Sequence, residues 1–373
     1  MRLALVTNDY PPKPGGIQQY LGNLMDAWDG PVRILAPHDE PAISTVRGEQ
    51  PVRRFRPNFG PPANFLWPTK SVVRWVIAEL SEFAPDAVLI GAPHPLTGLI
   101  PRIRDSLSVP VGVLAHGAEV TIPASIPGVR QAFGALLARA DVRFAVSRFT
   151  ATNVERLSGK RCRFVGAGVD LAAFAPTTRQ RGERLVIGSV SRFVPRKNQA
   201  WVIEAANRLV ASGISCEVVL VGKGRLEPQL RKAAAEANAP VRLEVDVPWE
   251  RLPELYRSFD IFCMPCRSRW GGLEVEGLGL VFLEAAASGL PVLAGDSGGA
   301  AETVIPAKTG FVVRNVDDIV EAVEMVVSDT ALMAHMGVAG RHFVESEFSW
   351  KRTAERFVEG FEAAQIPTSD LDT

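Results

Sequence analysis

Two carboxylates, Glu276 and Glu284, stand eight residues apart in GGLEVEGLGLVFLEAAASGLPVLAG (271–295), with only glycine and apolar side chains between them. Such a pair could act as acid and base, bind a metal, accept hydrogen bonds from sugar hydroxyls, or mark the surface of a helix. The bare segment between them narrows the choice. Glycines leading into a helix leave backbone N–H groups open to an anion, and Gly277 to Leu280 fit that description. A second run, SRFVPRKN, carries Arg192 and Lys197, with Arg196 and Asn198 close by. Guanidinium and ammonium groups on one loop suit a diphosphate, or form a solvated basic loop. His116 opens HGAE and is either a core histidine or a ligand contact. Gly15 and Gly16 close a proline-rich loop, PPKPGG, which reads as an anion-accepting helix start or as a plain turn. The GKG at Lys223 is too short for a phosphate loop.

The elements that must position these groups alternate in kind. LALVTN, VRILAP, DAVLIGA, PVGVLAHG and DVRFAVS read as buried parallel strands, separated by helix-period segments such as SVVRWVIAELSEF, where Val73, Val76, Ile77 and Leu80 share a face. After FAPTTRQRGER (174–184) the alternation restarts with LVIGSVS, CEVVLVGKG, VRLEVDV, DIFCMP, LPVLAG and GFVV. The pattern predicts an α/β chain of two doubly wound, Rossmann-like domains. They are expected over 1–172 and 183–345, with a last amphipathic helix at 349–364 packing back on the first. Ligands of open α/β sheets bind beyond the carboxyl ends of the strands, in a cleft, and each group named above follows a strand.

Composition excludes some classes. Lys plus Arg and Asp plus Glu are 41 each, so net charge offers no argument for a nucleic-acid partner. The N-terminal apolar run, Leu3 to Val6, is too short for a signal-peptide core, and no run approaches a membrane span, so a cytoplasmic protein is expected. Cys263 and Cys266 have C-x-x-C spacing without a second ligand pair, which favours a structural role. Residues 51–78 hold Arg53, Arg54, Arg56, Lys70 and Arg74, interleaved with Phe55, Phe59, Phe65, Trp67 and Trp75, and lack acidic residues. That composition suits an anionic lipid surface, or a solvated loop followed by an ordinary amphipathic helix.

Taken together, PPKPGGIQQYL, HGAE, SRFVPRKN, VGKG and EGLGLVFLEAAASGLPVLAGDSGGAAETV resemble the retaining glycosyltransferases of the two-Rossmann-domain kind (GT-B), in the Glu-x7-Glu family known as family 4. TNDYPPKPGGIQQYL and MPCRSRWGGLEVEGLGLVFLEA resemble, within it, actinobacterial GDP-mannose-dependent enzymes that extend phosphatidylinositol mannosides. One departure is HGAEVTIPASIPG, where those enzymes carry a second histidine just after the first. The resemblance implies a nucleotide-sugar donor, a lipid acceptor and a peripheral place at the inner face of the plasma membrane, with residues 53–75 on the anionic surface. It assigns Arg192 and Lys197 to the diphosphate, completed by Gly16 and the backbone of Gly277, Leu278, Gly279, Leu280 and Val281. Glu284 would hold the ribose, Glu276 a hydroxyl of the donor sugar, and His116 the transferred sugar. Lys223 and Val247 would flank the base, and Asp9, Gln18 and Tyr20 the acceptor side. No cofactor and no metal are implied, since two cations already face the phosphates. A hydrolase using the two glutamates and a non-catalytic binding protein are the competing readings. Neither explains both the cations and the full motif set.

Overall fold

The computed structural model of the chain describes residues 1–13, 15–38, 52–56, 65–177 and 182–365. Backbone contacts divide it into two units, Met1–Gly168 joined by the chain from Trp350 onward, and Val169–Ser349.

In the first unit seven strands form one sheet: β1 (Leu3–Val6), β2 (Val32–Pro37), β3 (Val52–Phe55), β4 (Ala87–Ile90), β5 (Val111–Ala115), β6 (Val142–Ala145) and β7 (Arg163–Phe164). Their order is β3-β2-β1-β4-β5-β6-β7, and every pairing is parallel. Residues of β1, β4 and β5 are wholly buried, because helices cover both faces of the sheet. Ala4, Val6, Val88, Ile90 and Val113 point to one side, against Val72, Val76 and Leu80 of the helix Lys70–Phe83. The helix face is rotated from the expected one: Val72 and Phe83 are buried, whereas Val73 and Ile77 are only partly so. The helix Trp350–Gln365 belongs to this unit, where Phe357 and Phe361 set their rings 4.6 and 5.2 Å from that of Phe144.

Two short strands escape the sequence reading. β3 lies inside the basic aromatic stretch and pairs with β2, Ile34 opposite Val52 and Pro37 opposite Phe55. Consecutive arginines at 53 and 54 hide its two-residue period, as charges on edge strands commonly do. β7 has only two residues, too few for any periodicity.

The second unit holds β8 (Leu185–Val190), β9 (Cys216–Val221), β10 (Val241–Glu244), β11 (Ile261–Met264), β12 (Val292–Gly295) and β13 (Gly310–Val313), in the order β10-β9-β8-β11-β12-β13. Leu185, Ile187, Val218, Leu220 and Ile261 pack under the helices Gln199–Ala211 and Val316–Ser328. The division at Gly168 precedes the Pro, Thr and Arg-rich stretch. Residues 169–174 are strapped to the second unit by Val169 N–H donating to Phe348 O (2.9 Å) and by Arg341 Nη1 donating to Phe174 O (2.7 Å) and Ala287 O (2.9 Å).

Candidate active site

In each unit the first strand is central and the order reverses on either side of it. Crossovers leave in opposite directions at that point, so the two loops beyond the carboxyl ends diverge and open a crevice. In the second unit these are the loops after β8 and β11. They carry SRFVPRKN and the stretch leading to Glu276, as expected.

The loop after β8 is fixed by its own backbone. Lys197 N–H donates to Val194 O at 3.0 Å, and Gln199 Nε2 donates to Ser191 Oγ (2.8 Å) and Arg192 O (2.9 Å). Asn198 adopts φ 58°, a left-handed conformation that asparagine tolerates, and turns the chain into the next helix. Lys197 thereby reaches Glu276: its Nζ donates to Glu276 Oε2 at 2.6 Å. Arg196 Nη1 donates to the same oxygen. All three side chains are largely buried. Burial pushes the Glu276 carboxyl up, but the Lys197 and Arg196 cations outweigh it and bring it down to about 2. Arg192, in the same loop, is exposed. Sequence reading noted Arg196 only as a neighbour. Its position next to Lys197 was the available signal, but contact with a residue 80 positions away has no local signature.

The Glu276 backbone is clamped as firmly. Its N–H donates to Ser297 Oγ (3.2 Å) and its carbonyl accepts from Gly299 N–H (2.9 Å). Gly298 sits at φ 56°, and a Cβ there would run into the Glu276 carbonyl. This is the physical content of DSGG in the motif: glycine lets one loop lie flat on the other.

Beyond Glu276, the helix Leu280–Ala287 begins at Gly279, which is its cap in a left-handed conformation and provides no side-chain hydrogen bond. Amide groups of Leu280 and Val281 therefore start the helix without a capping side chain. Glu284 is buried one turn in. Its Oε2 accepts from Tyr256 Oη at 2.9 Å, and burial pushes the carboxyl up to about 7, the tyrosine hydrogen bond pulling the other way. Glu276 and Glu284 thus differ sharply: one is held ionised by two cations, the other is penalised for ionising.

Lys223 and Asp246 meet in an exposed ion pair at 2.6 Å, beside Val247. The glycine of GKG has a structural use. Gly224 lies at φ 155°, and a Cβ there would stand 2.5 Å from Phe193 O, so the loop after β9 packs on the loop after β8. Cys263 and Cys266 are buried thiols, not a disulfide, and burial pushes Cys266 up to about 12.

In the first unit, His116 follows β5 and is buried. Its Nε2 lies 2.8 Å from Gly91 O, so Nε2 carries a hydrogen and donates to that carbonyl. Glu119 Oε1 accepts from the amides of His116 and Gly117, tying the loop down. Tyr20, expected on the acceptor side, packs beside His116. Its ring is buried edge-on to His116 at 5.2 Å, and its hydroxyl donates to Gly166 O at 2.8 Å. Asp9 and Gln18 are joined by Gln18 Nε2 donating to Asp9 Oδ1 at 2.7 Å. Gly16 opens the helix Gly16–Asp26, and among the described residues a Cβ there would meet no atom within 4 Å beyond its chain neighbours and its own helix backbone.

Residues 174–343 match the family described as glycosyl transferases group 1, and residues 14–173 match glycosyltransferase family 4. A GDP-mannose-dependent monoacylated α-(1-6)-phosphatidylinositol monomannoside mannosyltransferase of Corynebacterium glutamicum is 32% identical, covering 94% of this chain and 95% of that protein. The chain belongs to this glycosyltransferase family. It is a glycosyltransferase of two parallel-sheet Rossmann-like units. A GDP-mannose-dependent α-(1-6)-phosphatidylinositol monomannoside mannosyltransferase of Mycolicibacterium smegmatis is 35% identical, covering 96% of this chain and 97% of the relative. In fold, the glycosyltransferase resembles Anabaena HepE, solved in complex with UDP, with a TM-score of 0.79 at 18% identity over 97% of this chain and 100% of HepE.

Proposed function

We propose that this glycosyltransferase moves mannose from GDP-mannose to a phosphatidylinositol mannoside-type glycolipid with retention of configuration. The observation that carries the transfer chemistry is Glu276 held between Arg196 and Lys197 at the switch point of the second sheet. The names of the Corynebacterium and Mycolicibacterium relatives support the donor and the acceptor.

In this reading Lys197 has three donors, so one can stay on Glu276 while another meets a phosphate oxygen. Arg192 adds a bidentate clamp, and the amides from Gly277 to Val281 complete the cradle. The resemblance assigns Gly16 to the phosphates as well. Glu276 accepts from hydroxyls of the donor sugar and fixes the ring. In the first unit, His116 is assigned to the transferred sugar. Glu284 takes the ribose, and Lys223 with Val247 lies by the base. The bond from the anomeric carbon to phosphate breaks with its electron pair on phosphate, where the cations stabilise it. The acceptor oxygen bonds to that carbon, and its proton passes to the leaving phosphate. The protein's own cations neutralise the diphosphate, so no metal is needed. The test is a thermal-shift screen of GDP, UDP, ADP and their sugars in EDTA, followed by radiolabelled transfer into lipid extract. GDP and GDP-mannose are expected to stabilise the protein. Stabilisation by UDP alone would overturn the donor assignment.

We further place the enzyme as a peripheral protein on the inner face of the plasma membrane, docked through residues 53–75. Among the described residues no helix is long and apolar enough to cross a membrane. Only part of the stretch supports docking. Arg53 is paired with Glu79 at 3.6 Å, Phe55 stacks on Trp75 at 5.0 Å against the core, and Phe59 lies outside the described residues. Arg53 and Arg56 are exposed but partnered, Arg56 Nη2 lying 2.8 Å from His38 Nε2, and Trp67, Lys70 and Arg74 are exposed as well. Lys70→Glu with Arg74→Glu should weaken binding to phosphatidylglycerol vesicles about tenfold or more, at about 1 kcal/mol per basic residue. Unchanged co-sedimentation would remove the docking surface.

A further inference from the structure

We propose that Trp270 is a stacking platform for a hexose ring handled in the transfer reaction, an inference that rests on the sugar-binding role of Glu276. Trp270 is the most exposed large apolar side chain among the described residues, at 66%. Its backbone is also strained: φ is 51°, and Gly271 and Gly272 follow at 63° and 92°. A bulky residue in the left-handed region is a true outlier and persists only where its surroundings enforce it.

The enforcing contacts are explicit. Arg269 N–H donates to Glu274 O (3.0 Å), Glu274 N–H to Arg269 O (3.3 Å), and Gly272 N–H to Arg269 O (3.1 Å), closing a short hairpin with Trp270 at its tip. Arg269 Nη1 pairs with Glu274 Oε2 at 3.2 Å, and its guanidinium lies 4.8 Å from the Trp270 ring centroid, holding the ring from one side. The same hairpin leads to the site. Glu274 Oε1 lies 3.8 Å from Arg196 Nε, and Arg196 holds Glu276. One ion-pair ladder therefore sets both the ring and the carboxylate assigned to the sugar.

Packing does not account for a ring that buries so little of itself. Its π face is electron-rich, and the C–H face of a pyranose carries partial positive charge, so the two attract when stacked. A large side chain with two rotatable bonds does this at small entropic cost. The hexose can be the transferred sugar or a sugar of the acceptor, and the measurements separate them.

Trp270→Ala, Trp270→Phe and Trp270→Leu are compared by three readouts. These are KM for dihexanoyl phosphatidylinositol monomannoside, calorimetric Kd of GDP-mannose against GDP, and co-sedimentation with phosphatidylglycerol vesicles. Trp270→Ala is expected to raise either the acceptor KM or the GDP-mannose Kd about tenfold, a loss of the size one aromatic contact supplies. GDP affinity stays within about twofold, which also shows that the unit is folded. Trp270→Phe recovers most of the loss and Trp270→Leu does not. A rise in acceptor KM assigns the hexose to the acceptor, and a rise confined to GDP-mannose assigns it to the donor. The proposal is overturned if both constants stay near wild type, if leucine rescues as well as phenylalanine, or if only vesicle binding falls. Wild-type protein that transfers from another nucleotide sugar refutes the donor assignment alone, and the same three variants are then measured with that donor.

Discussion

Glu276→Ala is expected to lower transfer about 10³-fold or more, while GDP still binds. The carboxylate is the group read as fixing the donor-sugar ring through its hydroxyls, beside the His116 contact to the same sugar, and loss of such a positioning contact acts on the transition state. Nucleoside diphosphate affinity rests on other groups. A second consequence follows from burial. Removing Glu276 leaves Lys197 and Arg196 buried without their shared partner, and breaking a buried pair costs about 3–5 kcal/mol. The variant should therefore be less stable, and GDP, whose phosphates can replace the lost charge, should raise its melting temperature more than it raises that of the wild type. In the wild type the carboxyl lies at about 2, below its unfolded value. Its contribution to stability is complete above the ordinary carboxylate range and is lost only as pH falls toward 2. Glu276 consequently adds no pH dependence to transfer near neutrality. Transfer by Glu276→Ala within tenfold of wild type would sink its assigned role.

Glu284→Gln is expected to move binding and stability in opposite directions. The Glu284 carboxyl is raised from 4.5 to about 7 by burial. The folded state therefore holds a proton that the unfolded state has lost, and stability falls as pH rises from the unfolded value through about 7. A shift of that size corresponds to about 3 kcal/mol above pH 7, taken as an order of magnitude. Glutamine keeps an acceptor for Tyr256 without an ionisation to penalise. At pH 8 the variant should melt several degrees higher than wild type, at about 2–4 °C per kcal/mol. Ribose binding should suffer, because two vicinal hydroxyls need the carboxylate's two acceptor oxygens. We expect GDP Kd to rise about tenfold to a hundredfold at pH 8, the cost of one or two charge-assisted hydrogen bonds. Wild-type affinity should tighten as pH rises through about 7, when ribose binding favours the ionised carboxyl, and the variant should be flat over that range. Calorimetry from pH 6 to 8 measures both. Equal pH profiles for the two proteins would show that Glu284 does not titrate on the binding path.

The same buried helix position therefore has a functional reason to be unstable. An apolar residue at 284 would pack well, and the carboxylate survives there in a setting that disfavours its charge. Glu276 shows the opposite solution, with two cations supplied by a loop far away in the chain.

Much of this architecture was legible without coordinates. Buried parallel strands read as continuous apolar runs, because both faces of the sheet are covered, and this held for β1, β4, β5 and β8. Glycine at 298 and asparagine at 198 mark places where the backbone turns left-handed, so their chemistry is local. The Glu-x7-Glu spacing and the strand-end loops also follow from order along the chain. What local pattern could not supply was partnership. Arg196 and Lys197 reach Glu276 only because β8 pairs with β11, a neighbour set by the crossovers between them. Tyr256 meets Glu284 across 28 residues for the same reason. Of the short edge strands, β10 and β13 were readable, whereas β3 was hidden by its consecutive arginines and β7 by having only two residues. The sequence by itself determined the kinds of element and the residues offered at their ends, which depend on near neighbours. Tertiary structure decided which of those residues meet, and therefore which carboxylate is charged, because burial and counter-charges come from chain segments tens of residues away.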